Sequence, residues 1–129
     1  MLVVKRLDGP DDSDPSELRD PKWADIEGAI ERLDGETCTL LILGIGDPVP
    51  HMAIGGGKDG RYIVYATEDN ESFSSLVNPN AAKGKFYLTA GGQEGEYELK
   101  MCVGLSAALR AARTYAETGQ CDAALNWEG

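Results

Sequence analysis

Residues 37 to 43 read TCTLLIL, a near-continuous apolar run of strand length. Such a run fits a central strand covered on both faces better than an edge strand with alternating polarity. The segment after it, GIGDPVP over 44 to 50, cannot extend a strand, because proline removes ladder donors. Met52 and Ile54 suggest a short second strand, followed by a turn at Gly55-Gly56-Gly57-Lys58-Asp59-Gly60. RYIVYAT over 61 to 67 is a third strand, rich in β-branched and aromatic residues. Residues 68 to 84 form a long polar loop, with a short helical turn around Phe73 to Val77. Phe86 to Ala90 predicts a fourth strand, Gly91-Gly92-Gln93-Glu94-Gly95 a second glycine-rich turn, and Glu96 to Cys102 a fifth strand.

Helical periodicity flanks this strand-rich middle. Trp23, Ile26, Ile30 and Leu33 recur at spacings of three and four, which places them on one helix face. Asp20 suits the cap, Pro21 the first helical position and Gly35 the stop. Near the other end, Leu105, Ala108, Leu109, Ala112, Tyr115 and Ala116 form a second stripe, closed by Gly119. Its small residues allow close packing on a sheet. Trp127 reads as a plug docked on the core. The expected fold class is α+β: a mostly antiparallel sheet of about five strands, with an N-terminal and a C-terminal helix packed on it. Residues 1–20 read as an acidic, flexible N-terminal segment, because DGPDDSDPSELRD over 8 to 20 holds almost nothing apolar. Residues 21–129 read as a single domain, a length consistent with one core.

Charge narrows the function classes. Twenty-two Asp and Glu stand against twelve Lys and Arg, a net charge of −10, with a net of −6 carried by residues 1 to 36. Nucleic acid and anionic membrane surfaces need Lys and Arg at the contact, so neither is an expected partner. A basic protein is, and the field would speed that encounter. Cys38, Cys102 and Cys121 are odd in number and widely spaced, which reads as neither a disulfide framework nor a zinc site. The N-terminus lacks the basic-then-apolar order of a signal peptide, and no apolar run approaches the ~20 residues of a membrane span. The expected location is cytoplasmic.

A search for catalytic chemistry finds little to build on. His51 is the only histidine, so a Ser or Cys nucleophile would have to use it as its base, and nothing around the serines or cysteines resembles a nucleophile elbow. The run Gly55-Gly56-Gly57-Lys58 invites a phosphate-loop reading, but Lys58 is followed by Asp59-Gly60 and a strand rather than a hydroxyl residue and a helix. Two acidic groups remain: Glu68, Asp69 and Glu71 after the third strand, and Glu94, Glu96 and Glu98 around the second glycine turn. On a strand the latter three alternate onto one face, which reads as a solvated surface able to meet a basic partner. A carboxylate enzyme would need two acids in different environments. No cofactor and no metal is expected.

The ordered signals are also similar to a known family. Trp23-x-x-Ile26 to Leu33-Asp34-Gly35 leads into the apolar strand, followed by Met52-Ala53-Ile54-Gly55-Gly56 and Tyr62-Ile63-Val64. Gly91-Gly92, an acidic strand, Ala107-Ala108-Leu109-Arg110-Ala111-Ala112 to Tyr115-x-x-Thr118-Gly119 and Trp127-Glu128 complete the pattern. Over roughly residues 21 to 128 the chain resembles immunity protein family 1 (Imm1-like) of bacterial polymorphic toxin systems. The resemblance implies a cytoplasmic, non-enzymatic antidote that binds a cognate toxin domain encoded by a neighbouring gene. Toxins linked to this family include nucleic-acid-directed enzymes such as deaminases and nucleases, and their need to hold phosphate makes a basic partner the physical expectation. Trp23, Gly55, Gly56, Ala112, Gly119 and Trp127 read as structural motif positions. Glu68, Asp69, Glu71, Glu94 and Glu96, with Tyr97 as an anchor, are the expected partner-binding residues. The rival readings are a small acidic secretion chaperone for an effector and a carboxylate-based hydrolase.

Overall fold

In a computed structural model of the chain, residues 3–8, 16–19, 21–36, 38–45, 50–90 and 93–128 are described. Nine strands and two helices follow in the order β1 (Val3–Asp8), β2 (Ser16–Arg19), α1 (Trp23–Glu31), β3 (Cys38–Gly44), β4 (His51–Gly56), β5 (Tyr62–Thr67), β6 (Phe73–Leu76), β7 (Lys85–Ala90), β8 (Gln93–Glu98), α2 (Leu105–Thr118) and β9 (Trp127–Glu128). Seven strands form one sheet in the order β2-β1-β3-β4-β5-β6-β9, and β7 and β8 form a separate hairpin. Every strand pairing is antiparallel. The fold is α+β, as the sequence implies.

Strand parity divides the large sheet into two faces. Leu41 and Leu43 of β3, Met52 and Ile54 of β4, and Val64 and Ala66 of β5 join Ile26, Ala29 and Ile30 of α1 and Ala108, Ala111 and Ala112 of α2 in the main core. These three alanines of α2 are fully buried, and their small size brings the helix close to the strands. The alternate residues point to the opposite face, where the β7–β8 hairpin lies. There Ile63, Leu88 and Cys102 form a second, smaller cluster, joined by Phe86, Ala90 and Tyr97. Gly55 permits that approach, since a Cβ at this position would stand 2.7 Å from the Cβ of Ala90. The apolar run of β3 is thus covered on both sides.

Local chemistry explains the helix ends. Lys22 caps α1, and its backbone N–H donates to the Asp25 carboxylate at 2.9 Å, so the helix starts at Trp23 rather than at Pro21. Asp20, the expected cap, lies outside the described residues, as do Thr37, Gly91 and Gly92. At the end of α2, Gly119 takes φ 74° and donates its N–H to the Tyr115 carbonyl, the left-handed stop the sequence predicts.

Three expectations need correction. Residues 1–20 are not wholly a flexible lead-in, because β1 pairs with β3 and β2 with β1. Val3, Val4 and Leu7 show no period-two alternation that would announce a strand, and β1 depends on a distant partner, β3. The expected helical turn around Phe73 to Val77 is strand β6, whose register against β5 runs Tyr65 to Ser75, Ala66 to Ser74 and Thr67 to Phe73. The fifth expected strand is shifted: β8 spans Gln93–Glu98, and Leu99–Met101 is a 3-10 turn. The five expected strands are β3, β4, β5, β7 and β8, and β1, β2, β6 and β9 join them among the described residues.

Candidate partner-binding surface

On the hairpin-bearing face of the sheet, strand parity lines up residues from three neighbouring strands. Thr67 pairs with both His51 and Phe73, so His51, Tyr65 and Phe73 share that face. The rings of His51 and Tyr65 lie 6.5 Å apart, and those of Tyr65 and Phe73 lie 5.7 Å apart, both edge-to-face. The hairpin covers Ile63 but not the end of this row, where Phe73 remains 41% exposed. Burial, followed by the neighbouring Tyr97, raises the Tyr65 phenol above its ordinary pKa, which sets Tyr97 beside the row.

The row ends at the β5–β6 turn, which carries Glu68, Asp69 and Glu71. Thr67 is buried, and its hydroxyl donates to the Ser72 carbonyl at 2.7 Å and accepts from the Asn70 N–H at 2.9 Å. Asn70 takes the left-handed conformation, φ 63°. The Asp69 carboxylate accepts the backbone N–H groups of Ser72 at 2.8 Å and Glu71 at 2.9 Å. Those bonds, Ser72 foremost, hold its carboxyl below the ordinary range. Asp69 therefore builds the turn, while Glu68 and Glu71 project from it, both exposed.

The second acidic group occupies the outer side of the hairpin. Glu94, Glu96 and Glu98 are exposed and pair across to Thr89, Tyr87 and Lys85. Tyr87 is 56% exposed and stands in this group. Glu96 accepts a hydrogen bond from the Tyr87 hydroxyl and an ion pair from Lys85 at 2.9 Å, which hold its carboxyl low. Tyr97 has the opposite parity, and its ring packs inward against the second cluster. The structure thus separates Tyr97 from Glu94 and Glu96 and sets it beside Tyr65. Among the described residues no ion pair engages Glu68, Glu71 or Glu94.

The motif positions lie elsewhere. Trp23 opens α1, half-buried, with the Arg113 guanidinium 5.4 Å from its ring centre. Ala112 is fully buried, and a Cβ at Gly56 would stand 3.0 Å from the Arg61 carbonyl. Trp127 packs on the main core, donates its indole N–H to the Asp122 carbonyl at 2.9 Å, and pairs with Leu76. Phe73, Tyr65 and Tyr87 were not singled out from the sequence. Tyr87 was readable there, since Phe86 and Leu88 alternate with it, whereas Phe73 sits among polar residues with no period to mark it.

Among the described residues no group of three or more His, Cys, Asp or Glu is arranged to hold a metal ion, and no helix is long and apolar enough to cross a membrane. A search of curated proteins finds no match. A family model described as Immunity protein Imm1 matches residues 14–129, which takes in β2 and everything after it. That match covers nearly all of a 129-residue chain, so the chain belongs to the Imm1 immunity protein family.

Proposed function

We propose that this immunity protein neutralises a cognate toxin domain, encoded beside it, by stoichiometric occupation of the toxin's substrate groove in the cytoplasm. The observation that carries the reading is the exposed ring of Phe73, backed by Tyr65 and close in sequence to the turn that carries the exposed Glu68 and Glu71. A buried aromatic anchor with a charged rim is how lasting affinity and fast encounter are combined at protein interfaces. The net charge of −10 favours a basic partner, and an enzyme that holds nucleic-acid phosphates is basic for its own reasons. The protein itself would carry out no reaction.

The test replaces Glu68, Glu71 and Glu94 by Lys, leaving Asp69 and Glu96 in place because their carboxylates hold local structure. The variant is expected to keep the parent's circular dichroism and melting temperature. Its association rate with the toxin domain should fall by about ten-fold or more at low salt, and cells relying on it should lose protection. A folded variant that binds as fast and protects as well as the parent would remove this face from the account.

A further inference from the structure

The β5–β6 turn and the C-terminal end of α2 enclose a cleft of about 300 Å³ on the helix side of the sheet. Its lining includes Thr67, Glu68, Ser74, Tyr115, Gln120 and Cys121. Tyr115 is only 3% exposed, and its buried hydroxyl has no hydrogen-bond partner among the described residues. Buried polar groups are ordinarily paired, so an orphaned hydroxyl beside a cleft calls for an explanation. Burial first, then the nearby Cys121 and Glu68, push this phenol up to about 12, so at neutral pH it is an uncharged acceptor with Glu68 close at hand.

The remaining surroundings have one electrical sign. The last turn of α2 carries no basic residue, and its end presents the negative pole of the helix. Glu68 adds a full charge that no cation neutralises among the described residues. Asp69 is already committed to backbone N–H groups. Acceptor-bearing side chains come from several lining residues, among them Glu68, Ser74, Tyr115 and Gln120, which suits a planar fork of several donors better than a compact ammonium.

We propose that the cleft seats an arginine side chain of the partner domain, its guanidinium pairing with Glu68 and donating to the Tyr115 hydroxyl. This rests on the toxin-binding reading and adds a specific contact to it. The hydroxyl has almost no accessible surface in the free protein, so side chains of the lining must shift for a guanidinium to reach it. The contact lies on the side of the β5–β6 turn facing away from Phe73, and the turn would be gripped from both sides.

The chemistry can be tested without the toxin, by titrating the ¹⁵N-labelled full chain with N-acetyl-arginine methylamide and, as a neutral control, its glutamine counterpart. Amide shifts are expected to concentrate at residues 67 to 72 and 119 to 121, with the arginine probe alone. Glu68→Gln and Tyr115→Phe should each weaken the fitted affinity by about five-fold, the loss of one hydrogen bond. Tyr115→Phe should also melt at the parent's temperature or above it, since it removes an unpartnered hydroxyl, whereas a purely structural role would lower the melting point. Shifts spread equally over Glu71, Glu94 and Glu98, or unchanged affinity in both variants, would overturn the cleft. Toxin protection is measured separately and would stand or fall on its own.

Discussion

The two faces of the seven-stranded sheet are built from the same strands and finished differently. On the helix side, Ile26, Ile30, Leu41, Leu43, Met52, Ile54 and Leu76 are sealed almost completely under two helices. On the other side, Leu40, Ala53 and Ile63 are buried where a two-stranded hairpin lies, and His51, Tyr65 and Phe73 run out to an exposed end. Alternation of side chains forces this division, since one strand must serve both faces. The helix side carries the folding energy. The hairpin side holds aromatic area whose burial has been deferred, the condition a docking surface must meet.

Truncations sharpen the contrast. Ile54→Ala opens a cavity at the centre of the main core and should cost about 4 kcal/mol of unfolding free energy in urea titrations. Leu88→Ala empties the middle of the smaller cluster, where the hairpin can partly collapse, and should cost about 2 kcal/mol. Phe73→Ala should change stability by no more than about 0.5 kcal/mol, because the ring is already substantially in water. It should nevertheless reduce toxin protection more than either core variant does at equal folded concentration. If Phe73→Ala destabilised the protein as much as Ile54→Ala, the division between a folding face and a binding face would collapse.

The smallest effect belongs to the turn. The Asp69 carboxyl is lowered in the folded protein, so its contribution is fully present above the unfolded value of about 3.9 and is lost as pH falls through the folded value. The Asp69→Asn variant should melt slightly below the parent at neutral pH, and the gap should close in acid below about pH 4. Thermal melts across pH 2 to 7 measure it. A gap that widened in acid would contradict the assigned role.

Legibility in the sequence followed the range of the interactions. Strands β3 and β5 announce themselves through dense apolar and β-branched residues, and α2 through the stripe ending at Gly119, because burial and capping there are encoded within one segment. Strands β1 and β9 depend on partners far along the chain, β2 pairs only with the neighbouring β1, and all three carry weak local signals. The motif FSSL of β6 is too short to distinguish a strand from a helical turn. The acids around the proposed binding surface were visible as residues, but their division of labour was not. Asp69 is committed by a turn and Glu96 by Tyr87 and Lys85, while Glu68 and Glu71 are left outward. Parity places Tyr97 opposite Glu94 and Glu96, a signal the alternation itself contained. The cleft at Tyr115 was beyond sequence reading, since it joins a strand turn to the end of a helix some forty residues away.

The most direct measurement is hydrogen–deuterium exchange of the free protein and of its complex with the proposed cognate toxin domain. The account predicts slowed exchange at the β5–β6 turn and in β6, with the exchange of α1 unchanged. Protection confined to α1 and the outer surface of α2, with the turn exchanging as fast as in the free protein, would contradict it.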